Sequence, residues 1–307
     1  MDDRETCNLS TVNVTAFIRE DNTLDEEALL EAQRLSARLG YRMTQPELEL
    51  HEWNLAQKRD RLIGTSLTGW QDMVNAVGLT KEQEAKLLAK LREASHSGAN
   101  ELADELGSNR PLLHTCVKPE GTLSQLPTVS SGLHFSHSPY YIRRVRISAN
   151  DPLLEVCREL EYPIFPEVGQ DEETASTFVI EFPVKAPQGR TKYDVSAIEQ
   201  LEIYKMFMEN YVDHNASITV SVRDEEWDDV EDWVFKNWDT CIGISFLSLD
   251  DNVYALAPYE SITEEEYNNR VKQMKPFNHT LLNKYEDGDD HELDGSAECE
   301  DGTCPVR

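Results

Sequence analysis

Segments with a β-strand signature alternate with helical segments over the first 282 residues, and this alternation constrains the fold most strongly. Residues 11–18 and 217–222 are rich in β-branched side chains, whereas 25–39 carries apolar residues at helical spacing and 81–106 is strongly helical in composition. Strands separated by helices are typical of an α/β sheet or barrel. At 307 residues, the chain can form one large α/β domain or two ordinary ones. We therefore predict an α/β fold for residues 1–282.

The remaining residues, 283–307, have a different composition. Gly, Asp, Glu and Ser dominate, and apolar residues are few. Such a segment cannot bury enough apolar surface to offset the entropy of ordering. We expect a flexible, disordered C-terminal tail.

Two cysteines in this tail, Cys299 and Cys304, enclose the dipeptide Asp301-Gly302. A turn there can bring their Cα atoms to the separation of about 4.4–6.8 Å that a disulfide needs, because glycine accepts positive φ. So small a ring restrains the unfolded chain by only about 2 kcal/mol. The pair is therefore interpreted as an exchangeable dithiol that delivers electrons. The alternative is a metal-binding tail that also uses His291, but three ligands are too few for a closed structural zinc site, and we expect no metal.

A second motif follows the strand predicted at 112–117. It consists of Pro119, Glu120, Gly121, Thr122, Leu123 and Ser124. Glycine permits close approach of the backbone to a ligand, the two hydroxyl residues can donate hydrogen bonds, and a helix beginning here would present free N–H groups to an anion. The motif predicts a phosphate-binding loop. An ordinary strand–turn–helix corner is the alternative.

The formal net charge of −29 bears on the possible partners. So negative a protein repels nucleic-acid phosphates, and we expect no nucleic-acid partner. Solubility or adaptation to salt explains the acidity. A small anion needs only a local positive pocket, for which Lys118, Arg143, Arg144 and Arg146 are candidates. On a strand, Arg144 and Arg146 would share one face.

Cys7 lies just before the first predicted strand, in the sequence Thr6-Cys7-Asn8-Leu9. A lone cysteine at a strand edge is usually a small core residue, and Cys116, Cys157 and Cys241 fit that interpretation. No apolar run approaches the roughly 20 residues of a membrane span, and the first residues do not form a signal peptide. We expect a cytoplasmic protein with reduced thiols and no membrane association.

Together, Cys-Asn-Leu near the start, Lys-Pro-Glu-Gly-Thr-Leu-Ser in the middle and Cys-x4-Cys at the end resemble one family. Further stretches with the same resemblance are 63–69, 129–134, 140–146 and 217–222. The family is that of the adenosylcobalamin-dependent (class II) ribonucleotide reductases, of the monomeric ribonucleoside-triphosphate reductase type. The resemblance covers essentially the whole chain.

The resemblance implies a fold and a set of roles. The fold would be the C-terminal portion of a ten-stranded α/β barrel, with adenosylcobalamin as cofactor and a ribonucleoside triphosphate as substrate. Cys7 would be one thiol of the active-site pair that reduces the ribose 2′ position. Cys299 and Cys304 would re-reduce that pair and be reduced by a thioredoxin-like donor. The loop 119–124 would bind the nucleotide phosphates.

The chain departs from the family pattern at its start. The family's fingertip motif, Asn-Pro-Cys-Gly-Glu, precedes the cysteine that corresponds to Cys7, and this sequence does not contain it. The resemblance therefore implies that catalysis requires the N-terminal half of the reductase as a partner. An inactive remnant, or a fragment that only binds nucleotide, is the alternative.

Overall fold

A computed structural model describes residues 3–249 and 254–286. Its contacts divide the chain into two compact units. Within the described residues, the first unit comprises 3–139 and 186–249, and the second comprises 140–185 and 254–286.

The secondary structure elements are numbered in chain order. The strands are β1 (Asn8–Asn13), β2 (Ile63–Thr68), β3 (Tyr140–Ser148), β4 (Ile164–Pro166), β5 (Thr177–Lys185), β6 (Ile218–Val222), β7 (Ile244–Ser248) and β8 (Tyr259–Ser261). The helices are α1 (Glu26–Arg42), α2 (His51–Asp60), α3 (Trp70–Val77), α4 (Lys81–Leu106), α5 (Pro152–Glu159), α6 (Ala197–Asn210), α7 (Trp227–Lys236), α8 (Glu264–Gln273) and α9 (Leu282–Tyr285).

Parallel pairing organises the first unit, as expected for an α/β fold. β1 pairs with β2, and β6 pairs with β7, both in parallel. Between these two pairs, single parallel bridges join Thr65 to Thr115 and Val117 to Ala216. The predicted strand at 112–117 is thus present as bridging residues rather than as a regular strand. The α/β class is confirmed, and the described residues form several small sheets.

Helix α4 shows how the sequence determines a local structure. Its observed bounds are those of the predicted helix, because Thr80 and Gln83 form a capping box at one end and Gly107 takes a left-handed conformation at the other. α4 packs along α1, and Gly98 lies at that contact. A Cβ at position 98 would be 2.3 Å from the carbonyl oxygen of Arg34, so only glycine fits there without movement of the backbone.

We expect Gly98→Ala to lower the free energy of unfolding by about 1–3 kcal/mol, because the added methyl group must push α1 away from α4. Urea denaturation followed by circular dichroism measures this change. Ser97→Ala, one position earlier on the same helix, is the control and should lie within about 0.5 kcal/mol of the original protein. Equal stability of the two variants would contradict the close approach of the helices.

An antiparallel sheet with the order β4-β5-β3-β8 forms the second unit. β3 and β5 pair along nine residues, from Tyr140 opposite Lys185 to Ser148 opposite Thr177. Apolar residues of α5, including Leu154 and Val156, form a separate core with this sheet. In the described part of the chain, no helix is long and apolar enough to cross a membrane.

Candidate active site

Cys7 lies immediately before β1 and is half-buried. Its Sγ is 3.9 Å from Nε2 of His214, which is 207 positions away in sequence. Burial, reinforced by the negative charge of Glu5, raises the pKa of the Cys7 thiol to about 11. At neutral pH this thiol is therefore protonated unless a neighbour stabilises its anion.

Gly64 on β2 makes room for two thiols. A Cβ at this position would be 2.7 Å from Sγ of Cys116 and 3.5 Å from Sγ of Cys7. Both sulfur atoms thus border the space that a side chain would fill. Cys116 is buried, as the sequence suggested for it, and burial raises its pKa to about 12.

His214 is held by the carbonyl group of Ile63, the first residue of β2. Its Nε2 is 2.9 Å from that carbonyl oxygen, so Nε2 carries the proton and donates it. Burial lowers the pKa of His214, while the nearby carbonyl groups and the charge of Asp213 oppose that effect. The imidazole therefore presents an N–H group, rather than a lone pair, on the side of Cys7.

Asp213 anchors the segment that carries His214. Its carboxylate accepts hydrogen bonds from Arg92 at 2.5 Å, from Nε2 of His96 at 2.8 Å and from the backbone N–H of His114 at 3.0 Å. Burial alone would raise the pKa of Asp213, but its contacts with His114, His96 and Arg92 hold that pKa well below its ordinary value. A buried, ionised carboxylate thus ties α4 to the segment before β6.

His96, His114 and Asp213 also bring three potential metal ligands within 4.8 Å of one another. However, the two imidazole rings stack with centroids 3.9 Å apart and an angle of only 18° between their planes. A metal ion binds an imidazole nitrogen in the plane of the ring, and one ion cannot lie in two near-parallel planes. We therefore interpret the cluster as a structural network.

The predicted phosphate loop combines exposed and buried residues. Pro119, Gly121, Thr122 and Leu123 are exposed, whereas Glu120 and Ser124 are buried. The expected helix start is only a short 3₁₀ turn, Leu123–Gln125. A Cβ at Gly121 would meet nothing within 4 Å, so there is open space beside its Cα.

Glu120 links this loop to the strand that follows Cys7. Its φ of 56° is positive, which is uncommon for a residue with a side chain. Its Oε1 accepts a hydrogen bond of 2.6 Å from Thr11 of β1 and lies 3.4 Å from Nζ of Lys118. Its Oε2 is buried and has no hydrogen-bond partner among the described residues. A strained backbone and an unpaired buried oxygen are features that concentrate at functional sites.

Arg144 and Arg146 on β3 are neutralised within the second unit, unlike the open positive pocket suggested by the sequence, and Arg143 donates to the carbonyl oxygen of Pro258 and lies over the ring of Tyr259. Arg144 is buried and pairs with Glu181 and Glu260, and Arg146 pairs with Glu167. Sequence spacing does not reveal these partners, because they come from β5, from β8 and from the segment after β4. Cys299 and Cys304 lie outside the described residues, as does His291.

Sequence reasoning missed Asp213 and His214. A signal was present: Asp213-His214-Asn215 is a polar run directly before the strongly predicted strand at 217–222. Polar residues at the end of a buried strand frequently point into a site.

Comparison with known proteins shows a consistent match. The chain is 29% identical to the adenosylcobalamin-dependent ribonucleoside-triphosphate reductase of Lactobacillus acidophilus, in an alignment that covers 91% of this chain and 41% of that protein. The chain is also 27% identical to the enzyme of the same name from Lactobacillus leichmannii, in an alignment that covers 99% of this chain and 44% of that enzyme. The crystal structure of a B12-dependent (class II) ribonucleotide reductase matches 93% of the chain with a TM-score of 0.77 and 25% identity. The resemblance to class II ribonucleotide reductases is confirmed.

The match covers only part of the length of these reductases. The chain spans about two-fifths of the length of these reductases. The α subunit of the class Id ribonucleotide reductase from Actinobacillus ureae shares the fold over 80% of the chain, with a TM-score of 0.50 and 16% identity. No family model matches the sequence.

Proposed function

We propose that the chain is the C-terminal part of an adenosylcobalamin-dependent ribonucleoside-triphosphate reductase. The observation that carries the proposal is the hydrogen bond from Thr11 to Glu120, because it joins the strand that follows Cys7 to the loop 119–124. Cys7 and the loop 119–124 thus belong to neighbouring segments of one unit, as a reducing thiol and a phosphate-binding loop would require. The names of the relatives supply the substrate class and the cofactor.

In this proposal, the loop holds the triphosphate group and Cys7 faces the ribose. Reduction replaces the 2′-hydroxyl group by hydrogen and releases water, and two thiols are oxidised to a disulfide. Cys7 provides one of these thiols, and the N-terminal half of the reductase provides the other. Cys299 and Cys304 then reduce the disulfide and are themselves reduced by a thioredoxin-like donor.

The cavity beside β1 does not suit adenosylcobalamin. It has a volume of about 600 Å³ and is lined mainly by small and apolar side chains, with no charged residue among those that line it. The corrin carries many amide groups that need hydrogen-bond partners, so this lining does not fit it. Dependence on the cofactor is therefore carried over from the relatives, and we assign no corrin contact.

The same cavity supports the need for the rest of the enzyme. In the described part of the first unit, β1 pairs with β2 and leaves its other edge open. Leu35 and Leu39 of α1, and Met43 directly after this helix, are each about half exposed beside that edge. An open strand edge next to exposed apolar side chains is a site for association. We propose that the N-terminal half of the reductase covers it.

Co-expression with the N-terminal half of a related reductase tests the proposal. We expect the chain to be poorly soluble alone, and the pair to form deoxyribonucleoside triphosphates when adenosylcobalamin and a thioredoxin system are supplied. The double variant Cys299→Ser/Cys304→Ser should lose multiple turnovers with the protein reductant but keep a single turnover, because its active-site thiols remain.

Two results would count against the proposal. A stable, monomeric chain with no affinity for the N-terminal half would favour the inactive remnant. Unchanged multiple turnover in the double variant would remove the tail thiols from the mechanism.

A further inference from the structure

We propose that His214 is a catalytic residue of the reductase, which donates its Nε2–H to Cys7 and stabilises the thiolate form of that cysteine. The place of His214 in turnover rests on the proposed function. Its effect on the Cys7 thiol does not depend on that function.

The geometry fixes the direction of the interaction. The carbonyl oxygen of Ile63 can only accept a hydrogen bond, so the proton of His214 lies on Nε2. The same nitrogen is 3.9 Å from Sγ of Cys7, a distance at which sulfur still accepts a weak hydrogen bond. The N–H group therefore cannot remove a proton from Cys7, but it can be shared with the sulfur once that sulfur is negative. Hydrogen bonds to a charged form favour that form.

Backbone contacts hold the imidazole in place. The N–H groups of Asp213 and His214 both donate to the carbonyl oxygen of Thr115, at 3.1 Å. The Asp213 carboxylate is bound to Arg92 and His96 of α4. The donor therefore reaches Cys7 from a rigid segment, whereas Cys7 itself precedes the first residue of β1.

The role of this N–H group follows from thiol–disulfide exchange. One tail thiolate attacks the active-site disulfide and forms a mixed disulfide, and the second tail thiolate then attacks the tail sulfur of that bond. Cys7 leaves as a thiolate when the bond to its sulfur breaks, and it takes up a proton afterwards. The tail thiols become a disulfide, the active-site disulfide becomes two thiols, and two protons pass from the first pair to the second. A stabilised thiolate leaves faster.

Other charged and titratable groups around Cys7 do not supply this stabilisation. The negative charge of Glu5 opposes a thiolate, and Cys116 is a second buried thiol. Asp213, which precedes His214, is negative and so does not favour a thiolate, and His114 is buried next to Asp213. Of the described groups in hydrogen-bond contact with Cys7, His214 carries the N–H donor.

Alkylation of the full 307-residue chain by iodoacetamide tests the proposal. Rates are measured at about pH 8, below the pKa of a free thiol, and are resolved for each cysteine by mass spectrometry. Cys241 is the internal reference, because it is partly exposed like Cys7 and burial also raises its pKa. We expect His214→Leu to slow alkylation of Cys7 about tenfold relative to Cys241. His214→Gln, which keeps an N–H donor at a similar position, should stay within about threefold.

His279→Leu, at an exposed histidine of the second unit, is the control variant and should leave both rates unchanged. An unchanged ratio of Cys7 to Cys241 alkylation in His214→Leu would overturn the proposal. Alkylation of the buried Cys116 would reveal unfolding of His214→Leu. In that case His214→Asn is used instead, since the asparagine amide is too short to reach Cys7, and alkylation of Cys7 must then be about tenfold slower in His214→Asn. Because the reagent reports on the thiol alone, failure of the reductase assay and failure of this test are separate results.

Discussion

Replacement of Cys7 by serine is expected to lower deoxynucleotide formation by the reassembled enzyme about a thousandfold or more. Serine keeps the size and polarity of the side chain, but its hydroxyl group cannot form a disulfide and so cannot supply the reducing electron pair. The effect should appear in a single turnover as well as in multiple turnovers, because Cys7 acts on the sugar directly in the proposed mechanism. Rapid-quench measurement of the deoxynucleotide formed per enzyme in the first turnover is the appropriate assay.

Cys157→Ser provides the matched control. Cys157 is buried in α5 of the second unit, and its pKa is raised to about 11 like that of Cys7, yet it has no role in the proposed reaction. Its replacement should change stability but leave the turnover of folded enzyme within about twofold. A first turnover of normal size in Cys7→Ser would show that another thiol reduces the substrate.

Local signals in the sequence predicted the long helix α4 well. The capping residues Thr80 and Gly107 define its ends, and Ser196 is likewise the N-cap of α6. The helical segment predicted at 25–39 stops directly before Gly40, yet α1 continues to Arg42. A Cβ at position 40 would lie 3.6–3.8 Å from Ser10 and Ile63, which is ordinary contact distance, so this glycine neither ends the helix nor is required for packing. A glycine ends a helix where it takes the left-handed conformation, as Gly107 does.

The candidate site could be predicted in part. Cys7 and the loop 119–124 were proposed from their motifs, and the structure links the segments that carry them through Thr11. The partner of Cys7 could not be found in this way, because His214 is 207 residues distant in sequence. Arg144 and Arg146 of β3 show the converse limit: their charges were visible in the sequence, but the carboxylates that neutralise them come from distant segments.

The contacts of Asp213 explain why the candidate site is rigid on one side. Three segments meet at this carboxylate: α4 through Arg92 and His96, the bridging segment through the backbone of His114, and the segment before β6 that Asp213 itself begins. Only 6% of the Asp213 side chain is exposed, whereas 42% of the Arg92 side chain is. The carboxylate therefore depends on its partners far more than Arg92 depends on the carboxylate.

Asp213→Asn is accordingly expected to lower the free energy of unfolding by about 3 kcal/mol at neutral pH, because it removes the buried charge while leaving its hydrogen-bond donors in place. The pKa of Asp213 is lower in the folded protein than in the unfolded chain, so its contribution is complete above the unfolded value of about 3.9 and is lost progressively as the pH falls from there towards the folded value. Urea denaturation of both proteins between about pH 7 and pH 3 should therefore show a difference in the free energy of unfolding that is constant down to about pH 5 and then narrows.

Asp232→Asn, on the exposed face of α7 with only a 3.5 Å contact to Lys236, is the control and should change stability by less than about 0.5 kcal/mol. A difference that stayed at 3 kcal/mol at the lowest pH would mean that packing of the side chain, and not its charge, holds these three segments together.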